Sequence, residues 1–179
     1  MNGIPTITSD RLRFRPWRED DLPALAGFMA SDRSRFIGGP INEDDSWRRI
    51  ALFIGHWSIR GFGPWAIEEI DSGSCAGYAG LWHPHGFPEA EVLYTLYDGF
   101  GGKGYAQEAA LRCRRYAYET LGWRTVVSYI HSDNAASKLV AERVGARFDG
   151  TASIAFGIGA WRQPEIWRHP SPEQSSHSN

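Results

Sequence analysis

Residues 91–109 read EVLYTLYDGFGGKGYAQEA, and they join an apolar strand to a helix through a turn of closely spaced glycines. Glycine adopts backbone angles that other residues avoid, so such a turn can point several N–H groups inward. The first turn of a helix adds unpaired N–H donors and the positive end of the helix dipole. The stretch therefore predicts a cradle for a phosphate or pyrophosphate group.

Three phosphate-binding interpretations compete for this turn. The string GFGGKG at 99–104 matches the GxGxxG pattern of dinucleotide-binding domains, but residues 122–124, about 20 positions onward, lack the acidic residue that holds a ribose. A nucleotide P-loop is excluded, because it needs Ser or Thr after its lysine and Lys103 is followed by Gly104. The third interpretation is a cradle for the pyrophosphate of coenzyme A. A plain strand-to-helix connection without a ligand also fits the turn alone.

A second motif follows further along the chain. Residues 125–130, TVVSYI, have the composition of a strand, and residues 134–146, NAASKLVAERVGA, read as a capped amphipathic helix that ends at a glycine. Together, GGKGYAQEA and SDNAASKLVAERVGA resemble the motifs of the GNAT acetyltransferase superfamily, and they are most similar to the branch of the RimJ and RimL protein N-terminal acetyltransferases. The resemblance runs from Thr8 to Arg168, and the segment DRLRFRP at 10–16 is similar to the family's first strand.

The resemblance implies a mixed α/β fold and a co-substrate, acetyl-CoA. The implied sheet has about seven strands, is splayed between its fourth and fifth strands, and is flanked by about four helices. Backbone N–H groups of the glycine turn would hold the pyrophosphate, namely those of Gly102, Gly104, Tyr105 and Ala106, with Lys103 nearby. The pantetheine and acetyl end would lie against Leu96, Asn134 and Ser137.

The chemistry of acetyl transfer sets the remaining roles. A protonated amine is no nucleophile, so the enzyme must take a proton from its acceptor. Glu91 is the first candidate for this base, because it begins the strand beside the expected acetyl site, and Glu68 and Glu69 come next. The alternative interpretation of Glu91 is an exposed carboxylate at a strand end. Many members of the superfamily carry a tyrosine near the position of Val140 that can protonate the leaving thiol, but this chain does not. Ser137 is then the available hydroxyl beside the leaving thiol. Transfer without an acid is the alternative.

Length and composition favour one intracellular enzyme domain. A chain of 179 residues builds one complete core, so we expect a single domain over 1–169 and a disordered tail at 170–179. Cys75 and Cys113 are predicted to be buried free thiols, which fits a reducing cytoplasm. We expect no metal, because His83 and His85 lack a third ligand nearby.

The sequence also indicates which partners to expect. The sequence shows no secretion signal and no apolar run that reaches the length of a membrane span, so we expect no membrane partner. A net charge of −2 gives no reason to expect nucleic-acid binding. Homodimers are common in the family that the chain resembles, and a homodimer is therefore one possible state.

Periodicity predicts the order of the elements. A helix should follow Asn42 with its buried face formed by Trp47, Ile50, Ala51, Ile54 and Trp57. Residues 65–82 read as an antiparallel hairpin that leads to the strand of the glycine motif. Further elements are expected as a helix at 104–120, a strand, a helix at 134–144, and final strands near 147–155 and 158–168.

The acceptor is the least determined part of the prediction. The segments expected to line its channel are 31–40, the end of the second helix, 82–89 and the last hairpin. Arg33 and Arg35 stand beside Asp32 there, so charge selects no acceptor class. Protein N-terminal amines and small-molecule amines both fit, and a non-catalytic acyl-CoA sensor is the alternative from another class.

Overall fold

The structure, a computed structural model, describes residues 3–154 and 163–175. The strands are β1 (Ile7–Thr8), β2 (Leu12–Arg15), β3 (Pro64–Glu69), β4 (Cys75–Trp82), β5 (Glu91–Leu96), β6 (Val127–Ile130), β7 (Arg147–Thr151) and β8 (Glu165–Arg168). The α-helices are α1 (Leu22–Met29), α2 (Glu43–Arg60), α3 (Tyr105–Arg115), α4 (Ala135–Arg143) and α5 (Pro172–Ser175). Short 3-10 helices at Glu19–Asp21 and Asp32–Ile37 precede α1 and α2, and a π-helical turn at Tyr116–Thr120 extends α3.

One sheet contains these strands in the order β1-β2-β3-β4-β5-β6-β8-β7. Neighbouring strands are antiparallel except β5 and β6, which run parallel. β4 and β5 pair continuously from Trp82 opposite Glu91 to Gly77 opposite Leu96, whereas β5 and β6 pair only where Glu91 faces Val127. Beyond that point β5 and β6 separate, and the sheet is split between them.

The expected mixed α/β sheet with a split is confirmed, although the described residues contain one strand and one helix more than expected. The extra strand, β1, has two residues and is too short to give an alternating pattern. Because β1 comes first, the split falls between the fifth and sixth strands. The extra helix, α5, lies in the expected tail, where Glu173 forms an ion pair with Arg124 at 2.7 Å. Disorder of the tail stays a prediction, and residues 155–162 and 176–179, which include part of the expected last hairpin, lie outside the described residues.

Two cores cover the two faces of the sheet. Successive residues of a strand point to opposite faces, and β3 follows this rule. Trp65 and Ile67 pack in an apolar cluster with side chains from α3 and α4, whereas Ala66 packs in a second cluster with side chains from α1 and α2. The split between β5 and β6 therefore lies between two helical layers.

The second helix begins where the sequence predicts but buries a different face. Asn42 caps α2 by accepting a hydrogen bond from the backbone N–H of the residue three positions on. The prediction that Trp47, Ala51 and Ile54 are buried is wrong, since Trp47 is 53% and Ile54 40% exposed. Phe53 is buried instead, and its ring lies 5.2–5.5 Å from three other rings, those of Trp17, Tyr78 and Trp82. Contacts in this aromatic cluster set the rotation of α2.

Other expectations concern cysteines, membranes and metals. Cys75 and Cys113 are free thiols, as predicted, but only Cys113 is fully buried. Within residues 3–154 and 163–175, no helix is long and apolar enough to cross a membrane. No group of three or more His, Cys, Asp or Glu side chains in the same residues is placed to hold a metal ion.

Candidate active site

The glycine turn connects β5 to α3. Gly102 and Gly104 have φ angles of 77° and 82°, which non-glycine residues rarely adopt. Gly104 occupies the cap position of α3, and no side chain accepts a hydrogen bond there. The first N–H groups of α3, at Tyr105 and Ala106, therefore have no capping side chain, and the helix dipole favours an anion beside them.

Glu69, at the end of β3, holds the side chains next to this turn. The Tyr105 hydroxyl donates a hydrogen bond of 2.5 Å to the Glu69 carboxylate, and Lys103 Nζ lies 3.3 Å from it. The Tyr105 hydrogen bond in particular lowers the pKa of Glu69 to about 2. Glu69 is thus a firmly ionised structural carboxylate, and the sequence-based suggestion that it is a reserve base is wrong.

Glu68 is also engaged in structural contacts. It forms ion pairs with Arg15, at 2.9 Å, and with Arg13. Burial acts to raise the pKa of Glu68, but the hydrogen bonds from Arg15 and Arg13 outweigh it and the pKa is lowered. The suggestion of a reserve base at Glu68 is therefore wrong for the same reason as at Glu69.

A cavity of about 470 Å³ opens at the split between β5 and β6. It brings together three predicted site residues, Glu91, Asn134 and Ser137. Leu96, the last residue of β5, and the glycine turn that follows it do not line the cavity, since they lie at the opposite end of this strand. The predicted site therefore has two parts, a cavity at the start of β5 and an anion cradle after its end. The residues that line the cavity come from four regions, namely 36–53, 78–87, 91–95 and 128–137.

Glu91 stands at the closed end of the split, where β5 and β6 still pair. Its residue surface is 7% exposed, so the interpretation as an exposed strand-end carboxylate is wrong. One carboxylate oxygen accepts a hydrogen bond of 3.3 Å from the backbone N–H of Tyr129 on β6. Burial raises the pKa of Glu91 to about 8, against the smaller opposing effect of that hydrogen bond. A carboxyl group of this kind exchanges its proton close to physiological pH.

Ser128 on β6 bonds across the split to β5 and also contacts His169. The Ser128 hydroxyl donates a hydrogen bond of 2.7 Å to the carbonyl oxygen of Val92 on β5, and its oxygen lies 3.0 Å from His169 Nε2. Because the hydroxyl proton is used on Val92, Nε2 of His169 must be the donor. The buried Nδ1 of His169 then has a lone pair without a partner. Burial lowers the pKa of His169 to about 3, so the ring is neutral and structural.

Tyr94 crosses the split and contacts α4. Its hydroxyl donates a hydrogen bond of 3.0 Å to the backbone carbonyl of Ser137. The side chain of Asn134 accepts the Ser137 N–H at 3.2 Å and caps α4. Burial raises the pKa of Tyr94, so its hydroxyl keeps its proton. The sequence did not indicate this contact of Tyr94 with α4, because the two hydrogen-bonded residues lie 43 positions apart in the chain.

The outer wall of the cavity comes from the predicted acceptor segments and from α2. Segment 31–40 contributes Phe36, Ile37 and Gly38, and segment 82–89 contributes Trp82 and Phe87. The charged residues are not those the sequence suggested, because Arg33 pairs with Asp98, Arg35 packs on the outer side of the cavity-lining Phe36 ring, and neither arginine lines the cavity. The charged residues of the wall come from the first half of α2 and are Asp45, Arg48 and Arg49.

Comparisons with known proteins agree with this geometry. The family model described as "Acetyltransferase (GNAT) domain" matches residues 11–147. The crystal structure of an acetyltransferase from Agrobacterium tumefaciens superposes with a TM-score of 0.83 at 37% identity, over 94% of this chain and 96% of that one. The ribosomal-protein-S5-alanine acetyltransferase of Vibrio fischeri superposes with a TM-score of 0.71 at 14% identity, over 96% of this chain and 99% of that one, which is a likeness of fold alone. The uncharacterized protein YkkB of Bacillus subtilis is 26% identical over 169 residues, which are 92% of this chain and 94% of YkkB.

Proposed function

Since the chain belongs to the acetyltransferase (GNAT) family, we propose that it transfers an acetyl group from acetyl-CoA to a primary amine. One observation carries the proposal. A buried carboxyl group, that of Glu91, stands at the closed end of a split sheet and in the wall of a cavity of about 470 Å³. The split provides a place for an extended co-substrate, and the carboxyl group provides a base beside it.

The residues present fit acetyl-CoA. The co-substrate supplies the acetyl group as an activated thioester. Its pyrophosphate would be held by backbone N–H groups of the glycine turn, at Gly102, Gly104, Tyr105 and Ala106, where no side chain caps the helix. Lys103 adds a positive charge there, although it also contacts Glu69. The pantetheine arm would run past Leu96 into the split and reach Asn134 and Ser137.

Glu91 would act as the base. An acceptor amine arrives mostly protonated, and the reaction needs its lone pair. The Glu91 pKa of about 8 lies closer to that of an amine than an ordinary carboxyl pKa does, so proton transfer between the two groups is less uphill. The Tyr129 N–H fixes the orientation of the carboxylate. Ser137 would lie beside the departing sulfur, with the Tyr94 hydroxyl near it.

The substitution Glu91→Gln tests the proposal. Glutamine keeps the shape of the side chain and still accepts a hydrogen bond from Tyr129, but it cannot take a proton. We expect thiol release from acetyl-CoA in the presence of amines to fall by about 100-fold or more, with acetyl-CoA affinity by calorimetry nearly unchanged. Glu142→Gln, an exposed carboxylate on α4, is the matched control. Unchanged turnover in Glu91→Gln would remove the role given to Glu91. Acetyl-CoA binding without release for every acceptor tested would favour a non-catalytic sensor.

A further inference from the structure

Charge is distributed unevenly in the wall of the cavity. Among the described residues that line it, the carboxylate and guanidinium side chains are those of Asp45, Arg48, Arg49 and Glu91, and His131 is a histidine in the same lining. Asp45 and Arg48 form an ion pair at 2.5 Å and offset each other. Glu91 stands at the closed end of the split, where its carboxyl group accepts the Tyr129 N–H, and no ion pair in the described residues joins it to Arg49. The positive charge of Arg49 therefore has no anion paired with it in this wall.

The contacts of Arg49 agree with this account. One guanidinium nitrogen donates a hydrogen bond of 2.7 Å to the backbone carbonyl of Ile37, which is neutral. Over residues 3–154 and 163–175, no carboxylate lies within ion-pair distance of Arg49. The bond holds the guanidinium against Ile37, and both residues belong to the wall of the cavity. A guanidinium has five N–H donors in a planar fork that matches a carboxylate.

The rest of this side of the cavity is apolar. Phe36, Ile41, Leu52, Phe53, Trp82 and Phe87 line it. Such a wall holds an aromatic or branched aliphatic body, and the one carboxylate that α2 contributes to it, that of Asp45, is already paired with Arg48. A polyamine or other multiply cationic acceptor would place unpaired positive charge next to Arg49, which is unfavourable in a site of low dielectric.

We propose that the acceptor is a small primary amine that also carries a carboxylate and an apolar body, with its carboxylate bound by Arg49 and its amine directed toward Glu91. The inference rests on the proposed function and adds its substrate class. Both ends of the acceptor lie in one cavity of about 470 Å³, which suits a free amino-carboxylic acid. Net neutrality of such a zwitterion also removes the repulsion that a simple cationic amine meets.

The test compares acceptors that differ in the carboxylate alone. Amino acids with aromatic and branched side chains are assayed beside their amides and their decarboxylated amines, together with tripeptides whose second residue is acidic or amidated. The proteins are the wild type, Arg49→Gln, Arg49→Lys and Arg143→Gln, where Arg143 is an exposed arginine on α4 that does not line the cavity. Acetyl transfer is followed as thiol release, and binding of the same compounds to protein saturated with coenzyme A is measured by calorimetry.

We expect wild-type kcat/KM to be about 10-fold to 100-fold higher for the amino acids than for their amides, the range for a hydrogen-bonded charge pair. The ratio should fall close to one in Arg49→Gln, be partly restored in Arg49→Lys and stay at the wild-type value in Arg143→Gln. Equal use of acids and amides by the wild type, a ratio that survives Arg49→Gln, or a preference confined to the peptides would overturn the inference.

Calorimetry separates this inference from the proposed function. Binding of amino acids that depends on Arg49, without thiol release from bound acetyl-CoA, would support the acceptor class and refute the transfer. Thiol release with amines of any kind, without selection for the carboxylate, would support the transfer and refute the acceptor class. Absence of binding by every compound would refute the acceptor class as well.

Discussion

Removing the Glu91 carboxyl group should change how stability depends on pH. In the folded protein the pKa of Glu91 is raised from 4.5 to about 8. Between these two values the folded state binds a proton that the unfolded state releases, so the folded state loses stability as the pH rises. Each tenfold change in proton affinity is worth 1.36 kcal/mol, and the loss is therefore about 5 kcal/mol once the pH exceeds 8.

The variant Glu91→Gln carries no titrating group at this position. Below pH 4.5 both proteins have a neutral side chain there, and any difference in the free energy of unfolding reflects only the change from hydroxyl to amide. As the pH rises toward 8 and beyond, the variant should become more stable than the wild type by an amount that approaches about 5 kcal/mol. This is a large share of the 5–15 kcal/mol by which folded domains are usually stable.

Urea denaturation at pH 5, 7 and 9, followed by tryptophan fluorescence, measures the difference directly. Other groups titrate in both proteins and cancel in the comparison, and Glu142→Gln controls for the change in net charge. The reasoning about Glu91 would be refuted by a difference between variant and wild type that is constant across the pH range or that decreases with pH. Either result would mean that the Glu91 carboxyl group is solvated or paired in the folded protein.

Two further predictions concern the co-substrate. In Gly104→Ala the added methyl group has space, since only the Arg11 side chain lies near it, at 3.5 Å, but alanine is strained at a φ of 82° by about 1–2 kcal/mol. Calorimetry should therefore show acetyl-CoA affinity reduced by roughly tenfold. Gly3→Ala, at an open position, is the control and should bind acetyl-CoA as the wild type does. Ser137→Ala keeps both backbone hydrogen bonds of residue 137, so acetyl-CoA should bind normally. If the hydroxyl assists the leaving thiol, kcat should fall by up to about 100-fold. An unchanged kcat would mean that Tyr94 or no residue assists the leaving thiol.

The sequence was informative where local chemistry determines structure. The glycines at 102 and 104 have the positive φ angles that make glycine necessary there, and Asn134 and Asn42 cap the helices predicted to follow them. These features depend on residues close together in the chain. Glu91 could be selected as a base candidate on the same grounds, from its place at the start of the motif strand.

The sequence was not informative where packing between distant segments decides. The rotation of α2 depends on whether Phe53 or Ile54 fills the space beside Tyr78, and both choices satisfy helical periodicity. That rotation also places Arg49 in the cavity wall, so the charge of the acceptor site could not be read before the fold was known. The contact between Ser128 and His169 joins residues 41 positions apart and has no local signature either.

The split sheet itself explains why a carboxyl group with a raised pKa stands at this point. Where β5 and β6 separate, the Tyr129 N–H of β6 donates to the Glu91 side chain and not to the backbone of β5. Ser128 satisfies the Val92 carbonyl on β5 in the same way. The side chains that close the sheet at the end of the split are thus buried polar groups by necessity, and burial is what raises the Glu91 pKa. The opening that would admit acetyl-CoA and the base that would serve the acceptor therefore have one structural origin.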